Sequence, residues 1–356
     1  MPIIDLYGHE LLRERLSESI RSGTLPSSLL LQGPRGVGKQ RLALWLAQRL
    51  LCTADDSPCG NCKACRYVRE LNHPDLHWVF PRPRLKDSDP DLEQVKDDYG
   101  EATTERASNA GLYAAPSGSE GIYVATVRSL VLRASMSPAM GNRKIFIVGD
   151  AERMVPQEGA DMAANAFLKL LEEPPADTTI ILTSSEPGSL LPTIRSRVVA
   201  VRVPLVPDAA VRAFVENPEV KKALDKQGKA GTPERVRVAG GAPGRLLTGA
   251  VDARATINAR RIIDAATSAR RAPSYSTALS QGAAGARGGF SDTLDALVEL
   301  LGERARDALH RQDSAGAASS ARAVDAVLQA QTYADGNVSP QIIAARLIRN
   351  LGTTLK

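Results

Sequence analysis

The sequence predicts an α/β domain, a parallel sheet with flanking helices, followed by a small helical domain and an all-α C-terminal domain. Three observations carry this. A glycine-rich loop, Gly33–Lys39, lies between a short apolar strand and an amphipathic helix. Two further runs, Ile145–Val148 and Ile180–Thr183, are continuous and apolar, as in strands buried on both faces. Strands that alternate with helices imply parallel pairing, and from residue 208 onward helical spacing takes over. A chain of 356 residues suits two or three such domains.

Taken in order, Leu11, Leu12, Leu16 and Ile20 recur at helical spacing, and Ser28–Gln32 reads as a strand. Gln40–Leu51 is a helix, Cys52–Cys65 a compact cysteine segment, and His73–Phe80 a turn followed by a strand. Residues 81–120 hold Pro81, Pro83 and Pro90, many charges and a Gly/Ser/Ala stretch over Asn109–Gly121. They are expected to form an exposed, flexible insertion without its own core. Helices are expected at Val127–Ala134 and Met162–Glu173, the second broken by Pro174-Pro175.

Pro204 and Pro207 mark a domain edge. In the small helical domain over 208–250, Thr232 is expected to cap a helix with Pro233 at its first position, and Gly240–Gly244 to end it. Beyond residue 252 the pattern is helical, with Gly282–Gly289 as a loose connection. Leu294, Leu297, Val298 and Leu301 form one packing stripe; Ile342, Ile343, Leu347 and Leu351 form another. There is no internal repeat.

A hydrophobic fraction of 43% excludes disorder of the whole chain. The net charge of +5 fits either a slight surplus of solvated cations or contact with nucleic-acid phosphate or an acidic partner. Aromatics at 4% argue against base-stacking platforms. Charged residues near the start argue against a signal peptide, and no run approaches the roughly 18 apolar residues of a membrane span. The expected location is cytoplasmic.

The loop Gly33-Pro34-Arg35-Gly36-Val37-Gly38-Lys39-Gln40 fits the phosphate-binding pattern G-x-x-x-x-G-K, with Gln40 where Ser or Thr belongs. Gly33, Gly36 and Gly38 let backbone N–H groups turn toward phosphate oxygens. The helix N-terminus and Lys39 add positive charge. Gln40 lacks the hydroxyl that ligates Mg²⁺, so ATP binding stays open while hydrolysis is expected to be weak or absent.

Cys52, Cys59, Cys62 and Cys65 are the only cysteines, spaced C-x6-C-x2-C-x2-C. Two-residue gaps bring thiolates to one point, with Gly60 and Asn61 favouring the turn. A structural Zn²⁺ site of four thiolates is expected. An iron–sulfur cluster is the rival, although the later Cys-Pro of ferredoxin patterns is missing. His73 is an alternative ligand, or the start of a His-Pro-Asp turn.

The run Asn165–Pro175 and the later Thr193-Ile194-Arg195-Ser196-Arg197 resemble the clamp-loader branch of the AAA+ superfamily, with its N-A-L-L-K-x-L-E-E-P-P run and Ser-Arg-Cys motif. Val198 replaces the Cys. The resemblance extends to Asn337-Val338-Ser339-Pro340 before the last helix. It implies an AAA+ P-loop domain over 1–205, with a zinc module at 52–65 and the insertion at 81–120. A lid over 206–250 and a helical oligomerisation collar over 251–356 would follow.

It also implies that Arg197 is an arginine finger acting on a neighbour's ATP; the alternative is a surface arginine. Thr183 would sense nucleotide or satisfy backbone. Aligned on Ala151 and Met154, the acidic Asp-Glu-Ala motif reads Gly149-Asp150-Ala151, so Gly149 stands where the family's metal-holding Asp would be and a shorter Asp150 where its water-polarising Glu would be. In the lid, Gly244 stands where the family carries a sensor arginine, with Arg245 one residue late.

Within the family, a preserved finger beside three damaged hydrolysis elements resembles the non-motor delta-prime type of DNA polymerase III clamp loader. That type would sit with gamma/tau and delta subunits in a hetero-pentameric ring that loads a sliding clamp onto primed DNA. The alternatives are a gamma/tau-type ATPase and, from another class, a stand-alone zinc-containing DNA-binding protein.

Overall fold

Five strands run parallel in the order β2-β3-β4-β1-β5. They are β1 Ser28–Gln32, β2 Leu76–Val79, β3 Lys144–Val148, β4 Thr178–Ser184 and β5 Val199–Arg202. Leu30 lies opposite Leu182 on one side and Ala200 on the other, and Ile147 lies opposite Ile181. Every residue of β3 and β4 is buried, which is why these strands read as unbroken apolar runs. This computed structural model describes residues 2–54, 57–87, 90–114, 116, 120–154, 161–226, 230–247, 250–268, 271–280, 287–335 and 338–355.

Alternation sorts the strand residues into two cores. Leu29, Leu31, Ile145, Ile147 and Ile181 face α2 (Lys39–Leu51), which contributes Leu42 and Leu46, while Leu16 comes from α1 (Glu10–Arg21). Leu30, Phe146, Val148, Ile180 and Leu182 face the other way. They meet Val127 and Leu130 of α5 (Val124–Ala134) and Phe167 and Leu171 of α6 (Asp161–Glu172). The sheet thus carries helices on both faces, as in an AAA+ P-loop domain. Its carboxyl edge, where ligands bind in such sheets, gathers the segments after β1, β3 and β4.

The expectation of an uncored, flexible insertion at 81–120 is incorrect for its central part. Leu92–Ser108 is a 17-residue helix, α4, which follows α3 (Lys63–Arg69). Asp91 and Gln94 close a capping box at its start. Val95 and Ala102 are buried, and the Tyr99 hydroxyl donates to the Phe80 carbonyl at 2.7 Å. Asp98 takes two bonds from Arg82, at 3.0 and 2.7 Å. The Arg106 guanidinium lies over the rings of Phe80 and Tyr113, 3.2 and 3.8 Å from their centroids. Residues 88–89, 115 and 117–119 of this stretch lie outside the described residues.

The chain divides into two compact units, one within residues 1–247 and one comprising 248–356. Segment 206–247 belongs to the first. Its helices α8 (Asp208–Glu216), α9 (Pro218–Asp225) and α10 (Thr232–Ala239) share a small core of Val211, Phe214, Val215, Val220 and Val236. The N-cap of α10 is Gly231, and the expected cap Thr232 is already helical, because Pro233 occupies a first-turn position one residue later. Gly240 and Gly241, at φ +52 and +80, end the helix.

The second unit is all helix: α11 (Ala250–Thr267), α12 (Arg271–Ser280), α13 (Arg287–His310), α14 (Ser314–Asp335) and α15 (Pro340–Thr354). Leu294, Leu297, Leu301, Ile343, Leu347 and Leu351 form its core with Ile262 and Val327. Ile342 departs from the expected stripe and is 65% exposed, lying off the i, i+4, i+8 face set by Ile343. Most of the expected Gly282–Gly289 connection and Asn337 lie outside the described residues; Arg287 already opens α13. Among the described residues, no helix is long and apolar enough to cross a membrane.

Candidate functional site

The phosphate loop follows β1 and turns into α2 through Gly36 and Gly38, whose φ angles of +78 and +100 suit glycine. Lys39 does not reach outward. Its Nζ sits 2.9 Å from each of the carbonyls of Gly33 and Pro34 and the Ser185 hydroxyl, and the residue is 5% exposed. An ammonium has three donors, so all are engaged. Burial pulls the Lys39 pKa down, and Asp150 and Glu152 work against that. His9, from the turn before α1, adds a contact of its Nε2 with the Val37 carbonyl at 2.9 Å.

Gln40 is equally committed. Its Nε2 donates to Asp150 Oδ2 at 2.9 Å, and its Oε1 accepts from the Trp78 indole N–H at 3.0 Å. A Cβ on Gly149 would lie 2.4 Å from Gln40 Oε1. Asp150, in the left-handed region at φ +48, donates its N–H to Thr183 Oγ1 at 3.0 Å. Thr183 therefore serves backbone. Glu152 accepts the Ser185 N–H at 2.9 Å, and burial, with Asp150 nearby, raises its carboxyl pKa.

The lid segment completes the enclosure. Gly244 N–H donates to the Gly36 carbonyl at 2.8 Å, and a Cβ on Gly244 would come within 2.9 Å of Gly36 Cα. The place expected for a sensor arginine is thus a backbone-to-backbone contact that admits only glycine. Arg245 lies against Gly36 from the next position. These residues do not fit a Mg²⁺–nucleotide: the lysine is turned inward, no hydroxyl or carboxylate stands at positions 40 and 149, and an amide fills the space between them.

Arg197 follows the short helix α7 (Pro192–Arg195), which Pro192 opens. Its Nη1 donates to the Thr193 carbonyl at 2.8 Å, and its Nη2 pairs with Glu172 at the end of α6. The side chain keeps 27% of its surface in solvent.

The four cysteines come together. One Sγ from each of Cys52, Cys59, Cys62 and Cys65 lies within 4.8 Å of all the others. Cys52 Sγ is 3.6 Å from that of Cys59 and 3.8 Å from that of Cys62. A tetrahedral ion with metal–sulfur bonds of about 2.3 Å requires sulfur–sulfur edges of about 3.8 Å. The N–H groups of Cys59, Cys62 and Cys65 point to Sγ of Cys52, Cys59 and Cys62 at 3.5, 3.4 and 3.4 Å. Such bonds stabilise thiolate: N–H groups of Cys62 and Asn61 pull the Cys59 thiol down to about 6, while burial pushes Cys65 up to about 12. The donor set fits a closed four-sulfur metal site. His73 stands outside it, its Nδ1 accepting the Asp75 N–H at 3.1 Å.

Four contributors escaped the sequence reading: His9, Trp78, Ser185 and Glu172. Each meets its partner across a large sequence separation; Glu172 lies within the Asn165–Pro175 run, but nothing local points it at Arg197.

The family described as "DNA polymerase III, delta subunit" matches residues 8–206. The DNA polymerase III subunit delta' of Pseudomonas aeruginosa is 32% identical over 216 residues, 60% of this chain and 52% of that protein. Its Escherichia coli counterpart is 30% identical over 186 residues, 52% of this chain and 44% of the relative. The chain thus spans about half the length of these relatives. DNA polymerase III subunit gamma/tau of Mycobacterium tuberculosis is 29% identical over 265 residues, 71% of this chain and 38% of the relative. A solved gamma subunit-related protein of Thermotoga maritima covers 96% of this chain and 99% of its own at 16% identity, with a TM-score of 0.40.

Proposed function

The chain belongs to the family described as DNA polymerase III, delta subunit, and from that premise we propose that it is the non-motor delta-prime subunit of a clamp loader. In this reading it sits in a hetero-pentameric ring with gamma/tau and delta subunits, in the cytoplasm, and serves the loading of a sliding clamp onto primed DNA. The ring role follows a three-part plan: AAA+ domain over 1–205, lid over 206–250 and collar over 251–356.

The observation that carries the non-motor role is the self-filled phosphate loop. Lys39 spends its donors on Gly33, Pro34 and Ser185, and Gln40 bridges Trp78 and Asp150. Phosphoryl transfer depends on a cation that neutralises charge on the oxygens, and this pocket offers no seat for one. Arg197 supplies the complementary half: it stands at a helix edge, partly solvated, where it would stabilise charge on a neighbour's transferring phosphoryl group. A gamma/tau-type ATPase would need the opposite arrangement. Cys52, Cys59, Cys62 and Cys65 would hold Zn²⁺ as a structural ion, leaving no open position for chemistry.

Reconstitution with candidate gamma/tau and delta subunits tests the proposal. Clamp loading should require this chain, while the purified chain alone turns over no ATP. A motor-like rate from the isolated chain would sink it, as would tight stand-alone binding to primed DNA.

A further inference from the structure

We infer that the Gln40 carboxamide is a built-in occupant of the cation position in this phosphate loop, and that Gly149 exists to make room for it. The two departures from the ATPase pattern, 109 positions apart, are one device. This deepens the non-motor reading and rests on it only for its meaning in the ring.

The amide orientation follows from its partners. An indole N–H can only donate, so Oε1 must face Trp78, which leaves Nε2 to donate to the Asp150 carboxylate oxygen. The amide lies inside the protein: Gln40 is 8% exposed and its partner Trp78 6%, while Asp150 is half-buried. The group that would polarise water in an ATPase is therefore a hydrogen-bond acceptor for a neutral amide.

Gly149 is not needed for backbone reasons, because it lies outside the left-handed region. Its need is spatial. A Cβ there would meet Gln40 Oε1 at 2.4 Å, Cδ at 2.6 Å and Nε2 at 2.7 Å, which are three atoms of one amide plane. Gln40 is flexible enough to swing away, but doing so breaks both bonds and leaves the buried Trp78 N–H without its acceptor. Restoring an acid at 149 alone therefore unseats the plug, and only a smaller residue at 40 makes space for it.

The test is a thermal cycle on the full chain with Gly149→Asp, Gln40→Thr and the double variant. Gly149→Asp should lower Tm by about 5 °C or more, Gln40→Thr should lower it too because the Trp78 N–H loses its acceptor, and the double variant should lose clearly less than the sum of the two. If Gly149→Asp is insoluble, Gly149→Ala adds the same Cβ and reads the same coupling against Gln40→Thr. The original chain should show equal Tm in ATP with added Mg²⁺ and in ATP without it. Additive losses, or a tolerated Gly149→Asp, overturn the inference. So does a Mg²⁺-dependent stabilisation by ATP while Gln40 is in place. None of these readouts involves the assembled ring, so failure here leaves the delta-prime role to its own experiment.

Discussion

Lys39 and Arg197 are the two cations that the sequence assigns to triphosphates, one to the chain's own loop and one to a neighbour's. The fold treats them differently. Lys39 is 5% exposed, with three oxygen partners that match its three donors. Arg197 keeps about a quarter of its side-chain surface in solvent, and its partners, the Thr193 carbonyl, the Ser196 hydroxyl and the Glu172 carboxylate, lie at an exposed turn. A buried cation with every donor satisfied is held where it is, because release would strip it of bonds that water does not reach. A partly solvated ion pair is cheap to open. A motif can thus survive in sequence while the fold takes over its charge, and residue identity alone does not distinguish the two fates.

The largest effect that would break this comparison is in the reconstituted complex. If Arg197 acts in trans as proposed, Arg197→Ala should cut ATP turnover at the neighbouring site by about 10³-fold while assembly persists. Lys39→Ala should leave turnover of the complex unchanged. Equal losses from both variants would mean that the chain's own loop works on nucleotide after all.

The next effect concerns the far end of the helix that begins with Lys39. Cys52 directly follows α2, so the four-cysteine cluster, with the Zn²⁺ proposed for it, would tie down the end opposite the phosphate loop. Cys62→Ser should abolish bound zinc by elemental analysis and lower Tm by about 10 °C, because a structural ion's binding energy is folding energy. It should leave the Gln40–Asp150 bond intact, read as an unchanged response to Gly149→Asp. A chain without zinc and with undiminished Tm would remove the module from the argument.

A third effect comes from the strand that presents Trp78. Burial, then nearby Arg133, pulls the neighbouring His77 down to about 4 from its ordinary 6.5. Above pH 6.5 the ring is neutral in both states. Between 6.5 and 4 the unfolded chain takes up the proton and the folded chain does not, so stability falls as pH falls across that window. The loss is at most about 3 kcal/mol. Urea titrations should show the slope, and His77→Gln should flatten it partly, since buried His9 and His73 are lowered in the same direction.

What the sequence disclosed follows the range of the interactions. Ser28–Gln32 emerged as β1 without adjustment, and the buried strands β3 and β4 were visible because parallel pairing leaves no polar face. The cysteine cluster was legible because its ligands lie within fourteen positions. Helix α4 was missed. Only Val95 and Ala102 of α4 are buried, so its apolar stripe is thin. What holds it is stacking of Arg106 on Phe80 and Tyr113 and the Tyr99 bond to Phe80. Its one local sign, the Asp91-x-x-Gln94 capping box, was hidden among prolines and charges. The match of Gln40 to Gly149 was invisible for the same reason: each residue alone looks like a loss.

The smallest effect sharpens the comparison most directly, because it asks what Glu172 does to Arg197. The pair joins the end of α6 to the turn after α7, and Glu172 is 47% exposed. Solvent screening leaves such a pair worth less than about 1 kcal/mol. Glu172→Gln should therefore shift Tm by no more than a degree or two. In the complex it should leave turnover close to that of the original chain, because the Thr193 carbonyl still orients Nη1. A large thermal loss would place Arg197 with Lys39, as a cation held by the fold, and the division between the two would fail. A rise in turnover on breaking the pair would instead mark Glu172 as a resting place from which the finger must leave.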